Sequence, residues 1–172
     1  AYLGMWPRLH AIGAWLNFPV QSDPTSSQLW HRDPEDLRVV KVFIYLTDVN
    51  TASGPFSYIP GSHALGPRAG LVPAHADRIR VTDDEMARVF PRESWTLSTG
   101  PARTMVLADT TGYHRGGWVI EGRRILITLT YTSGTPFNPR MFRVTTIPSW
   151  MDEATQFRAL DYDRRTGSLE ES

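Results

Sequence analysis

The chain contains no cysteine, which excludes disulfides, thiolate zinc sites and cysteine nucleophiles. It also lacks net charge: 18 basic residues stand against 18 acidic ones, with no long run of either sign. That balance argues against nucleic acid or an anionic membrane surface as the main partner. No apolar run approaches the length of a membrane span and no signal peptide is visible, so a cytoplasmic location is expected. What the chain has in quantity is aromatic side chains, with six Trp, six Tyr and seven Phe in 172 residues. This is the composition of a globular protein long enough for one substantial core. A single domain over residues 1–172 is expected, with a core at about 8–133 and a polar tail over 134–172.

Strand patterns dominate. Residues 8–18 form an apolar run ended by Pro19, and the stretch 19–27 is a loop by composition. A strand carrying His31 and Asp33 follows, cut short by Pro34. Residues 39–46 are β-branched and aromatic, and continuous enough to be buried on both faces. Shorter strand patterns recur at 56–59, 95–97 and 104–108, and the cleanest spans 124–131. Residues 64–80 show no periodicity and read as a loop. Thr82 with Glu85 three residues on makes a capping box ahead of Met86, Val89 and Phe90, which share one face of a short helix stopped by Pro91. One further short helix is expected near 150–159. Many short strands separated by turns, and almost no helix, predict an all-β core of the jelly-roll type.

His31 and Asp33 are spaced i, i+2, so on extended backbone their side chains leave the same face. One imidazole and one carboxylate are two ligands of a facial two-His-one-carboxylate set, the arrangement that suits non-haem Fe(II) with open positions. The third ligand must come from another strand. Of the remaining histidines, His63 sits in a Pro-Gly-Ser-His turn, His75 lies in the featureless loop, and His10 stays open on residue type alone. His114 follows a strand and a glycine turn and precedes another strand, and it is the preferred candidate. Ten residues later Arg124 begins an apolar strand, where a guanidinium is costly unless an anion pairs with it. A small dicarboxylate chelating a metal at one end would present its other carboxylate to Arg124.

These segments, in this order, resemble the phytanoyl-CoA dioxygenase-like branch of the Fe(II)/2-oxoglutarate-dependent oxygenases. The matching pieces are residues 28–33, 42–49, 54–56, 59–63 and 114–117, leading to Arg124. The resemblance runs from about residue 10 to 133. It implies a double-stranded β-helix (jelly-roll, cupin-like) fold, iron held by His31, Asp33 and His114, and 2-oxoglutarate bound through Arg124, with O2 as the co-reactant. Gln28, three residues before His31, resembles an amide that such proteins use on the oxoglutarate carboxylates. Thr130 shares a face with Arg124, and Lys41, Phe43 and Tyr45 share a face of their own strand, so Thr130 and Tyr45 join the cosubstrate candidates. Asn17 is a weaker one.

The implied reaction is hydroxylation of an unactivated C–H bond of a small molecule, with release of succinate and CO2. Halogenating relatives carry a small residue where this chain has Asp33, so a hydroxylase is expected rather than a halogenase. Members of the family usually have more chain ahead of the His-x-Asp segment than the 30 residues here, so a fragment or a minimal member with an open pocket is expected. Two other readings stand beside the oxygenase: a jelly-roll metal-binding domain that uses no oxoglutarate, and a catalytically silent one. Trp30, Phe43, Trp118, Arg32 and Arg115 are candidates for a substrate pocket.

Overall fold

In the computed structural model, residues 2–73, 80–138, 149–155, 162–163 and 168–169 are described. The long apolar run near the N-terminus becomes β1 (Arg8–Asn17), and it pairs antiparallel with the cleanest predicted strand, β7 (Arg124–Thr132). On the other side of β7 lies β2 (Val40–Tyr45), and beyond it β5 (Met105–Asp109), giving a four-stranded sheet in the order β1-β7-β2-β5. A smaller sheet contains β4 (Thr96–Ser98), β3 (Phe56–Tyr58) and β6 (His114–Arg115) in that order. Two single bridges extend it, from His114 to His31 and from Trp30 to Val81. Outside the two sheets, β8 (Tyr162–Asp163) and β9 (Ser168–Leu169) form a hairpin where only polar tail was expected. The result is the predicted mainly-β, double-stranded β-helix core.

The period-two alternation of strands divides the apolar residues into two clusters. Phe43, Tyr45, Val49, Phe56 and Leu126 pack between the two sheets. Trp30, Ile59, Val81, Met86, Phe90 and Tyr113 form the second cluster, in which the helix α1 (Asp83–Ala87) contributes Met86. The predicted capping box is present: the Thr82 hydroxyl accepts from the Glu85 N–H, and the Glu85 carboxylate accepts from the Thr82 N–H at 2.8 Å. Two one-turn 3₁₀ segments, Ser26–Gln28 and Arg92–Ser94, were not expected. Of the helix expected near 150–159, residues 153–155 are helical and 150–152 are not, while 156–159 fall outside the described residues, as does His75.

The segment carrying His31 and Asp33 is shorter than the expected strand. It bridges only at Trp30 and His31, and Asp33 is held instead by its N–H donating to the Thr110 carbonyl at 2.8 Å. Where β6 leaves the small sheet it passes very close to the chain entering β3. A Cβ on Gly117 would lie 2.5 Å from both the Gly54 carbonyl carbon and the Pro55 oxygen, and the Gly117 N–H donates to Pro55 O at 3.1 Å. Gly54 has φ +69°, the left-handed region that favours glycine. Backbone on both sides of this contact leaves no flexible atom to give way. Gly117→Ala should therefore lower stability by about 1–3 kcal/mol, read as a lower urea midpoint at unchanged m-value.

Candidate functional site

Reciprocal backbone hydrogen bonds hold the two histidines face to face. His31 N–H donates to His114 O and His114 N–H to His31 O, each at 3.0 Å. Because neighbouring residues alternate in direction, Trp30 turns the other way into its apolar cluster, where its indole N–H donates to Asp83 at 2.7 Å. The imidazoles of His31 and His114 lie with ring centroids 4.3 Å apart. Asp33 completes the group: His31 Nε2 is 3.7 Å from Asp33 Oδ1 and His114 Nε2 is 3.6 Å from Oδ2. All three residues are buried, and their ligand atoms lie within 4.8 Å of one another.

The donor set is prepared for a metal. His31 Nδ1 bonds the Leu29 carbonyl at 2.8 Å and His114 Nδ1 bonds the Gly112 carbonyl at 3.0 Å. A carbonyl only accepts, so each Nδ1 carries the proton and each Nε2 offers its lone pair towards Asp33. Burial lowers the pKa of both rings, that of His114 to about 3, so both are neutral at physiological pH. Burial alone would push the Asp33 carboxyl up, but the His114 ring, protonated in the acid range where Asp33 titrates, and the Lys41 ammonium beside it hold it down at about 2. Two neutral imidazoles and one carboxylate, already in their ligating protonation states, fit a divalent metal of the Fe(II) type.

Arg124 is buried at the start of β7, and its Nη2 donates to Asn17 Oδ1 at 3.0 Å. The β1–β7 register places Asn17 directly opposite it. Among the described residues no carboxylate pairs with this guanidinium, so its buried charge is matched only by a neutral amide. A Cβ placed on Gly116 would sit 3.5 Å from Arg124 Nη2. The guanidinium thus reaches the chain two residues past His114.

The remaining candidates divide. Thr130 and Tyr45 lie buried on the inward faces of β7 and β2. The Tyr45 hydroxyl donates to Ser98 O at 2.6 Å. Gln28 is engaged in its own 3₁₀ turn, where its side-chain oxygen accepts from Thr25 N–H at 2.9 Å. It lines a cavity of about 660 Å³ together with Asp83, Arg115 and Trp118. Arg115 pairs with Asp83 at 3.0 Å there, and Arg32 lies over the Tyr113 ring while donating to the Ser62 and Ala69 carbonyls. Trp30, Arg32 and Arg115 are thus spent on packing and ion pairing behind the small sheet, one step out of phase with His31 and His114. Phe43 does face the interior, packed on Phe56, whose ring is 5.7 Å from His114. Phe56 also lines a second cavity of about 470 Å³, with Val40, Tyr58, Val106, Ala108 and Asp109. Two further residues of the site stood in the sequence as no more than face-mates or weak candidates: Lys41, whose ammonium rests on Asp33, and Asn17.

A jelly roll with two histidines and one carboxylate converging inside it defines the class of facial-triad metalloprotein. The family pattern of phytanoyl-CoA dioxygenase (PhyH) matches residues 10–109, more than half of the sequence, and the chain belongs to that family. No curated protein matches it. Among solved structures it is similar to HygX from Streptomyces hygroscopicus with nickel and 2-oxoglutarate bound, at 17% identity and a TM-score of 0.56, covering 86% of this chain and 65% of that one. EvdO2 from Micromonospora carbonacea var. aurantiaca aligns at 24% identity and a TM-score of 0.56, over 88% and 61% of the two chains. The non-haem α-ketoglutarate-dependent epimerase SnoN from nogalamycin biosynthesis aligns at 19% identity and a TM-score of 0.53, over 78% and 52%. The chain spans between about half and two thirds of the length of these three structures. Among the described residues no helix is long and apolar enough to cross a membrane.

The lowered histidine pKa values give a pH dependence with a definite sign. Unfolded histidine takes up a proton near pH 6.5, whereas the buried rings resist it. The metal-free protein should be at full stability above pH 6.5 and lose about 1.4 kcal/mol per pH unit for each buried ring as pH falls below it, until the folded pKa is reached. Urea unfolding between pH 7.5 and 4.5 checks this, and His114→Gln should make the slope shallower.

Proposed function

We propose that the chain is a non-haem Fe(II)/2-oxoglutarate-dependent dioxygenase that hydroxylates a C–H bond of a small molecule. The observation that carries the reading is the His31–Asp33–His114 triad, accompanied in the same fold by a buried arginine that has no carboxylate partner among the described residues. Bound Fe(II) would supply the centre at which O2 oxidises 2-oxoglutarate to succinate and CO2 and an oxygen atom is passed to the substrate. His31 Nε2, His114 Nε2 and one oxygen of Asp33 would hold the metal on one side, leaving the opposite side free. Arg124 would take the far carboxylate of the cosubstrate in a charge-assisted pair, with Asn17 fixing the guanidinium plane. Thr130 and Tyr45 would line the same interior.

The ligands need no proton transfer before the metal binds, because both imidazoles are neutral and Asp33 is ionised at neutral pH. Phe56, backed by Phe43, sets an apolar ring beside His114 and limits water near it. The cavity beside Phe56 is lined on one side by Val40, Val106, Leu107 and Ala108 and on the other by Tyr58, His63, Thr96, Ser98 and Asp109. Its volume of about 470 Å³ suits a small ligand. With Asp33 present as a third protein ligand, hydroxylation or a related oxidation is favoured over halogenation.

Anaerobic addition of Fe(II) and 2-oxoglutarate should give the weak visible charge-transfer band of the chelate. His114→Ala should abolish it, while Arg124→Ala should raise the oxoglutarate concentration needed by at least about tenfold, the loss of one charge-assisted pair. Absence of the band from the folded, iron-loaded protein would overturn the assignment and favour a metal-binding domain without oxoglutarate chemistry. Asn17→Ala should likewise weaken oxoglutarate binding but leave metal affinity unchanged, read by calorimetry with each ligand in turn.

A further inference from the structure

Lys41 brings a second cation into the barrel, beside the metal ligands themselves. It occupies an inward position of β2, with Ala108 and Thr130 as its cross-strand neighbours, and neither carries charge. Its ammonium rests on Oδ2 of Asp33, and the side chains are only 17% and 8% exposed. The same Oδ2 is the oxygen 3.6 Å from His114 Nε2. Ammonium and metal would therefore draw on one carboxylate. Among the described residues, the other carboxylate sharing the field of Lys41 is Glu35, whose buried Oε2 has no hydrogen-bond partner there.

A buried carboxylate without a cation is costly, and the two histidines facing Asp33 are neutral. Lys41 thus supplies what a metal would otherwise supply: it keeps Asp33 charged and holds its oxygens in place. The same fixed charge has the opposite effect on two later guests. It repels a divalent cation and attracts a dianion, and in a site this dry both interactions are strong. Resting on the dioxygenase reading, we propose that Lys41 is a built-in counter-cation for the triad, one that weakens capture of a bare divalent metal and strengthens the gain in metal affinity that a dianionic cosubstrate provides.

The test is calorimetric titration of the metal-free protein with Ni(II), which is not oxidised in air, with and without 2-oxoglutarate. Wild type, Lys41→Met, Lys41→Gln and His114→Ala are compared. Lys41→Met should bind Ni(II) alone about tenfold more tightly, and the tightening that 2-oxoglutarate brings should shrink by about tenfold. Lys41→Gln keeps a hydrogen bond to Asp33 without the charge, and should follow Lys41→Met. It also serves if the methionine variant fails to fold. If Lys41→Gln matches wild type, or if removing the charge weakens binding of Ni(II) alone, Lys41 only orients Asp33 and the proposal is overturned. Binding in wild type that His114→Ala does not change would overturn the triad as the metal site, and the dioxygenase reading and this proposal with it. Triad-dependent binding with unaltered coupling would overturn the proposal alone.

Discussion

The two hydrogen bonds exchanged between the backbones of His31 and His114 are the constraint on which the site depends. They join a segment that has almost no strand of its own to β6, which is itself only two residues long. Neither piece would be held firmly alone. Their alignment is secured from behind by the packing of Trp30, Ile59 and Tyr113 against Met86 and Phe90 of the α1 region. Each residue that points into that cluster, Trp30 or Tyr113, is the immediate neighbour of a histidine that points the other way. The apolar cluster therefore sets the direction of both imidazoles, and the carbonyls of Leu29 and Gly112 set their rotation.

This division explains which parts of the site could be read from the sequence. The i, i+2 spacing of His31 and Asp33, the capping box at Thr82 and Glu85, and the long strands around 40–45 and 124–132 are local patterns, and local patterns survive folding. The choice of His114 over the other histidines rested on turns and strands flanking it, which is also local information. The resemblance to a known family then assembled these pieces into a triad. What stayed hidden was cross-strand. Asn17 and Arg124 are 107 residues apart and meet only through the β1–β7 register. The pairing of Lys41 with Asp33 needs two different sheets to face each other. Period-two counting placed Lys41 with Phe43 and Tyr45 on one face but could not say what that face looked at.

The same alternation separates residues that lie next to the triad in sequence from the triad itself. Arg32 and Arg115 each sit next to a triad member and looked like pocket residues. Alternation sends them to the outer side of the small sheet, where Tyr113 and Asp83 receive them. Gln28 divides its amide: the side-chain oxygen accepts the Thr25 N–H that closes the 3₁₀ turn, whereas a carboxylate would take the NH2 group.

Burial of charge ties these observations together. The interior holds Asp33, Lys41 and Arg124, all groups that water would solvate better than protein does. Asp33 and Lys41 compensate one another, whereas Arg124 is left with the dipole of an amide. A fold optimised for stability alone would replace such a residue with an apolar one of similar volume. Keeping a desolvated guanidinium beside the chain that follows His114 makes sense if its partner arrives from outside as an anion. On that argument the buried guanidinium that costs the fold stability is what a dicarboxylate would recognise. Binding of the cosubstrate should then repair an electrostatic imbalance that folding creates.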